Sequence, residues 1–120
     1  MVTESSWSDF APASAIPEGG YRVGEVGGVA VVVFRVDGCL HAYENVCTHD
    51  YGELMRPDGC WMIDRGRLEG REVYCPRHGA RFDVRTGVVL APPAFEGLRR
   101  HGLRVVAGMV QVRGPDAESP

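Results

Sequence analysis

Cys47-Thr48-His49 and Cys75-Pro76-Arg77-His78 each set one thiol close to one imidazole, and residues 50–74 lie between them. Thiolate and neutral imidazole are both strong donors to zinc and iron. In a short loop, a cysteine and a histidine two or three positions apart can turn to one point. Two such loops facing each other can clamp a small inorganic centre. Zinc accepts two cysteines and two histidines, but its usual arrangement groups like ligands, a cysteine pair followed by a histidine pair. One of each per segment suits a two-iron, two-sulfide centre whose irons differ, thiolates on one and imidazoles on the other. Zinc stays open as the alternative.

The donor types carry a redox consequence. Neutral imidazoles place less negative charge on their iron than thiolates would, so that iron accepts an electron more readily. Gly52 and Gly79, beside the two segments, let backbone N–H groups come near sulfur and tune the potential. The remaining cysteines, Cys39 and Cys60, read as small buried hydrophobes. His41 falls on a predicted strand and His101 in a polar Arg99-Arg100-His101 turn, so neither reads as a ligand.

The elements that position these segments read as β throughout. Tyr21-Arg22-Val23 and Val29 to Val36 are predicted strands joined at Gly27-Gly28. Asp37-Gly38 is a strong hairpin signal leading into Cys39 to Tyr43. Glu72-Val73-Tyr74 runs into the second Cys/His segment and Arg81 to Val84 runs out of it. Leu103 to Val106 and Met109 to Val112 form a last hairpin around Ala107-Gly108. Pro12 to Gly20 reads as a connector, Asp50 to Arg65 as a long irregular excursion, and residues 114–120 as a disordered tail. Short strands punctuated by 16 glycines and 8 prolines point to an antiparallel sandwich or barrel.

Size and composition fit a single domain: 120 residues, 44% apolar and 24% charged. A net charge of −3 is too small to define a partner class and only weakly disfavours nucleic acid, which selects for a concentrated basic patch. The longest apolar run, Val29 to Phe34, is too short for a bilayer, and the acidic, polar start of the chain is unlike a signal peptide. The expectation is a cytoplasmic protein that binds neither membrane nor nucleic acid.

Cys75-Pro76-Arg77-His78-Gly79-Ala80-Arg81-Phe82-Asp83, followed by Thr86-Gly87, resembles the second box of Rieske ferredoxins, and Cys47-Thr48-His49 resembles the first. Gly66 to Tyr74 resembles the approach to the second box. Ala91-Pro92-Pro93-Ala94 with Leu98 resembles the proline loop that packs over the cluster. The resemblance spans about residues 20–113. It implies an all-β fold: an antiparallel Rieske β-sandwich, one domain over residues 1–120, with a smaller cluster-binding subdomain at about residues 45–95. It implies a [2Fe-2S] cluster with Cys47 and Cys75 on the buried iron and His49 and His78 on the outer one. The excursion between the boxes is longer than is usual for the family, around Leu54 to Asp64. That stretch includes Cys60, and its Trp61 and Met62 are candidates for a docking surface.

Membrane-complex Rieske subunits, by the same resemblance, add a cysteine to each box, where this chain has Gly52 and Arg77. They place hydroxyl donors where it has Ala80 and Phe82. Without those donors the reduced cluster is less stabilised, so the expected potential lies toward the low end of the Rieske range, near about −150 mV. The implied role is a non-catalytic electron carrier of a multicomponent aromatic-ring-hydroxylating dioxygenase, taking single electrons from an NAD(P)H-dependent ferredoxin reductase to the terminal oxygenase. Partners would dock over His49 and His78, with Asp50-Tyr51 and Pro92-Pro93 at the rim, in an interface below about 1,200 Å². Asp50, Glu53 and Asp58 are candidates for steering a basic partner face. The small Rieske-like subunit of a nitrite reductase and a zinc-stabilised binding module are the alternative readings.

Overall fold

The computed structural model describes residues 7–46, 72–74, 81–92 and 96–115. In chain order the strands are β1 (Ser8–Pro12), β2 (Tyr21–Val26), β3 (Val29–Val36), β4 (Cys39–Glu44), β5 (Glu72–Tyr74), β6 (Arg81–Asp83), β7 (Val89–Ala91), β8 (His101–Val106) and β9 (Met109–Pro115). A single 3-10 turn, Ala13–Ala15, follows β1. The described residues form an all-β fold of three antiparallel three-stranded sheets, ordered β1-β9-β8, β2-β3-β4 and β5-β6-β7. Among them no helix is long and apolar enough to cross a membrane. The chain divides into two compact units, Met1–Glu44 with Arg99–Pro120, and Asn45–Leu98.

In the first unit the sheets β1-β9-β8 and β2-β3-β4 share an apolar core of Ile16, Val26, Val31, Val33, Ala42, Val110 and Val112. Alternation explains the choice of side chains: in a strand, residues two apart face the same way. Strand β3 is buried on both faces, since Val32 and Phe34 are as inaccessible as Val31 and Val33. That is why its sequence is a near-continuous apolar run rather than an alternating one. Phe34 sits between Tyr21 and Tyr43, with ring centroids 6.0 and 6.3 Å away.

Hairpin turns fix the registers. Gly27-Gly28, Asp37-Gly38 and Ala107-Gly108 all have positive φ at both positions. This is the primed geometry whose twist matches that of the flanking strands. Arg35 organises the predicted connector: Nε donates to the Ile16 carbonyl at 2.5 Å and Nη2 to that of Ala13 at 2.8 Å.

Three sequence expectations need correction, and one strand was not foreseen. The stretch before Pro12 is a strand, β1, held by pairing with β9 at the far end of the chain. His101 is not in a polar turn; it opens β8 and is 2% exposed, with its Nδ1 2.7 Å from the Arg113 carbonyl. That hydrogen bond lets a polar ring lie inside. Strand β9 runs on through Gly114 to Pro115, because His101 pairs with Pro115 across a bulge; the tail therefore begins later than expected. Cys39 is exposed rather than buried, because it is the first residue after a surface turn.

Candidate metal centre

Cys47, His49, Cys75 and His78 lie outside the described residues, as do Asp50, Glu53, Asp58, Cys60, Trp61 and Met62. What the structure describes is the frame on which the two Cys/His segments are mounted. The first follows β4. That strand's end is clamped by the chain coming into β8: the Glu44 N–H donates to the Arg99 carbonyl at 2.8 Å, and Tyr43 bridges Arg100. Arg100 also places its guanidinium 5.2 Å above the Tyr43 ring while Nη2 donates to the Tyr43 hydroxyl at 3.1 Å. The Arg99 Nε stands 3.7 Å from Glu44 Oε1. Asn45, next along the chain, is 3% exposed. The segment therefore starts from a fixed point.

The second segment is the loop of a hairpin. Strands β5 and β6 pair Glu72 with Asp83, Val73 with Phe82 and Tyr74 with Arg81. Tyr74 and Arg81 thus form the closing pair, and residues 75–80 make up the whole connection. Val73 and Phe82 are fully buried, so one face of this short stem is apolar and the other carries the charged partners. Strand β7 pairs along β6, Arg81 with Ala91 and Phe82 with Val89. The chain consequently leaves β7 toward Pro92 at the end of the sheet where residues 75–80 connect β5 to β6.

The turn joining β6 to β7 is tightly bonded. The Gly87 N–H donates to the Asp83 carbonyl at 2.7 Å, and the Asp83 N–H to the Val88 carbonyl at 2.9 Å. The Asp83 carboxylate accepts the Arg85 backbone N–H at 2.8 Å and lies 3.3 Å from Arg85 Nη2. Burial pushes this carboxyl up, but the hydrogen bonds from the Arg85 side chain and backbone, the Arg85 charge and the Thr86 backbone outweigh it. The net effect holds Asp83 below its ordinary value. The Leu98 N–H then donates to the Gly87 carbonyl at 2.7 Å. A Cβ on Gly97 would come 2.6 Å from that carbonyl oxygen, which only glycine avoids at this approach.

Neither motif nor spacing marked Glu72 and Arg81 as partners; only strand register brings them together. Their ion pair, 3.6 Å from Arg81 Nη1 to Glu72 Oε1, crosses the hairpin diagonally from the closing pair to the pair two below it. Charged residues of opposite sign flanking the second Cys/His segment were the available signal. Among the described residues no group of three or more His, Cys, Asp or Glu side chains is arranged to hold a metal ion.

The sequence profile of the Rieske [2Fe-2S] domain matches residues 6–103. The chain belongs to the Rieske [2Fe-2S] family. Its relatives include the ferredoxin component of the naphthalene 1,2-dioxygenase/salicylate 5-hydroxylase systems of Ralstonia sp., 34% identical over 100 residues, covering 83% of this chain and 88% of that one. The ferredoxin component of the naphthalene 1,2-dioxygenase system of Pseudomonas aeruginosa is 32% identical over 106 residues, covering 88% and 93%. Among solved structures, the ferredoxin of carbazole 1,9a-dioxygenase from Nocardioides aromaticivorans IC177 superposes with a TM-score of 0.75 at 28% identity, over 90% of this chain and 97% of that one. A chain in a complex of reduced oxygenase and oxidized ferredoxin of carbazole 1,9a-dioxygenase gives a TM-score of 0.76 at 30% identity, over 93% and 97%.

The cofactor of a Rieske domain is a [2Fe-2S] cluster. The donor set in this chain suits it chemically: two thiols and two imidazoles, one of each in each segment. Phe82 is fully buried, and its side chain offers no polar hydrogen.

Proposed function

We propose that this Rieske protein is the electron-carrying ferredoxin of a multicomponent aromatic-ring-hydroxylating dioxygenase, non-catalytic itself. It receives electrons from an NAD(P)H-dependent ferredoxin reductase and delivers them to the terminal oxygenase. The observation that carries the reading is the intact mixed donor set in a chain whose relatives are ferredoxin components of such systems over most of both lengths. That intact set also favours this role over a nitrite reductase subunit, and the alternation of donor types favours a cluster over zinc.

In this reading Cys47 and Cys75, as thiolates, hold one iron, and His49 and His78, as neutral imidazoles, hold the other. When bound, the cluster supplies one-electron uptake and release. The protein's own part is to hold the donors and give the electron a way out. The clamped end of β4 leads into the first segment, and the β5–β6 stem flanks the second in sequence. The imidazoles offer a conjugated edge toward a partner, so docking takes place over His49 and His78, with Pro92, an exposed turn residue, at the rim. A carrier must leave after each transfer, which calls for a small interface, below about 1,200 Å². The acidic residues Asp50, Glu53 and Asp58 steer a basic partner face. The protein works in the cytoplasm, as one Rieske domain whose residues from about 45 to 95 hold the cluster.

The test is chemical and then kinetic. The purified chain should contain two iron and two sulfide per molecule and give a Rieske-type paramagnetic resonance spectrum when reduced. Replacing any one of Cys47, His49, Cys75 or His78 by alanine should abolish that spectrum. The loaded protein should couple NAD(P)H oxidation by a dioxygenase-system reductase to turnover of its oxygenase. A colourless, zinc-containing protein that stays colourless after anaerobic reconstitution defeats the reading.

A further inference from the structure

The sheet β5-β6-β7 carries four charges arranged as two pairs. Glu72 and Asp83 stand directly opposite each other across β5 and β6. Two carboxylates in that relation repel. Each is met by an arginine, Glu72 by Arg81 at 3.6 Å and Asp83 by Arg85 at 3.3 Å. The two pairs are not equivalent. Asp83 is also satisfied by backbone hydrogen bonding. Glu72 Oε1 is shut off from solvent and accepts no hydrogen bond among the described residues, so Arg81 balances it through field alone. The side chains are 37% and 26% exposed, which leaves the pair only partly screened by water.

Register puts this pair at the mouth of the ligand hairpin. Arg81 directly follows residues 75–80 and closes the hairpin with Tyr74, and Glu72 lies two pairs below that closing pair, level with Asp83. Asp83 is two residues further along β6 than Arg81, about 7 Å of strand away.

We infer that Glu72 and Arg81 form a charge-balancing pair that sets the redox potential of the centre held by the second ligand segment; this rests on the Rieske reading above. Uptake of one electron adds one unit of negative charge. A bare guanidinium beside the hairpin mouth favours that uptake, and a bare carboxylate opposes it. Glu72 cancels the field that Arg81 would otherwise impose, which keeps the protein a stronger reductant.

Potentiometric titration of the cluster-loaded full chain, followed by paramagnetic resonance, tests this by sign. Glu72→Gln should raise the midpoint and Arg81→Gln should lower it. The double variant should return toward the wild-type value, and Arg81→Lys should stay near it. Asp83→Asn should raise the midpoint less than Glu72→Gln does. A merely structural role would loosen the hairpin in both single variants and move both midpoints the same way. Shifts of one sign in both, or none in either, overturn the inference while the wild-type spectrum leaves the Rieske reading standing. A wild-type chain with no Rieske spectrum overturns the reading and this inference with it. If a glutamine variant does not load, Glu72→Ala and Arg81→Met put the same opposite signs to the test.

Discussion

Glu18 holds the Asp37-Gly38 turn with both oxygens of one carboxylate: Oε2 accepts the Asp37 N–H at 2.6 Å and Oε1 the Gly38 N–H at 2.8 Å. The turn needs the help, since Asp37 sits at a φ of 55°, in the left-handed region that side chains disfavour. Glu18→Ala should destabilise the protein by about 1 kcal/mol, the usual net worth of such bonding. Glu18→Gln, which keeps one acceptor, should cost less. Urea unfolding midpoints of the three proteins would check the order.

The buried His101 makes a second prediction. Its Nδ1 lies 2.7 Å from the Arg113 carbonyl, and donation there satisfies a backbone acceptor inside β9. His101→Leu keeps bulk but strands that carbonyl, which should cost about 1–3 kcal/mol. Thermal unfolding should show a clear drop in Tm, whereas His101→Asn, which can still donate, should recover part of it.

Trp7 is covered by two guanidinium groups, Arg104 at 4.3 Å and Arg113 at 5.1 Å from the ring centroid. Arg113 reaches it by crossing Gly102, where an added Cβ would fall 2.2 Å from the arginine Nε. Gly102→Ala should push Arg113 off the indole and change Trp7 fluorescence, at a stability cost of about 0.5–1 kcal/mol. Trp61 is the other tryptophan, so the emission is best read in a Trp61→Phe background. Unchanged emission would mean that the arginine does not rest there.

Asp83 predicts a pH dependence. Its folded value is held below the ordinary one, so its contribution to stability is present above the unfolded carboxylate value and is lost as pH falls through the folded one. Wild type should exceed Asp83→Asn in stability at neutral pH, and the gap should close as the medium is acidified below the usual aspartate range. Urea unfolding of both from pH 6 to pH 3 is the measurement.

By the family resemblance, Ala80 and Phe82 occupy sequence positions where membrane-complex Rieske subunits carry hydroxyl donors, which favour reduction. The midpoint should therefore fall near about −150 mV rather than near about +300 mV. Phe82→Tyr should raise it if the new hydroxyl reaches the centre's sulfur. A wild-type midpoint well above zero would contradict this assignment.

Much of the fold was legible. Val29 to Val36 could be read as a strand, though not as one buried on both faces, and the three hairpin turns from residue pairs able to take positive φ. Strand β1 was not, because what makes it a strand is a partner near the other terminus, as in the bond from Gln111 Nε2 to Asp9 Oδ1 at 2.8 Å. Strand β7 escaped too: three residues with Leu90 exposed leave no alternation to read. His101 was misjudged because its arginine neighbours mark polarity, while its burial depends on a carbonyl twelve residues away. Cys47, His49, Cys75 and His78 stood out by type and spacing, and they lie outside the described residues. The ion pair of Glu72 and Arg81 was not, since it exists only once the register is known.

The thiol that opens β4 gives the molecule a practical orientation. Cys39 is exposed and unbonded at one end of a six-residue strand whose other end leads toward the first ligand segment. At about 3.3 Å per residue, a maleimide or gold contact placed there sits some 17 Å of strand away from that exit. In a Cys60→Ser background, Cys39 becomes an anchoring point for wiring the protein to an electrode through the turn end of β4.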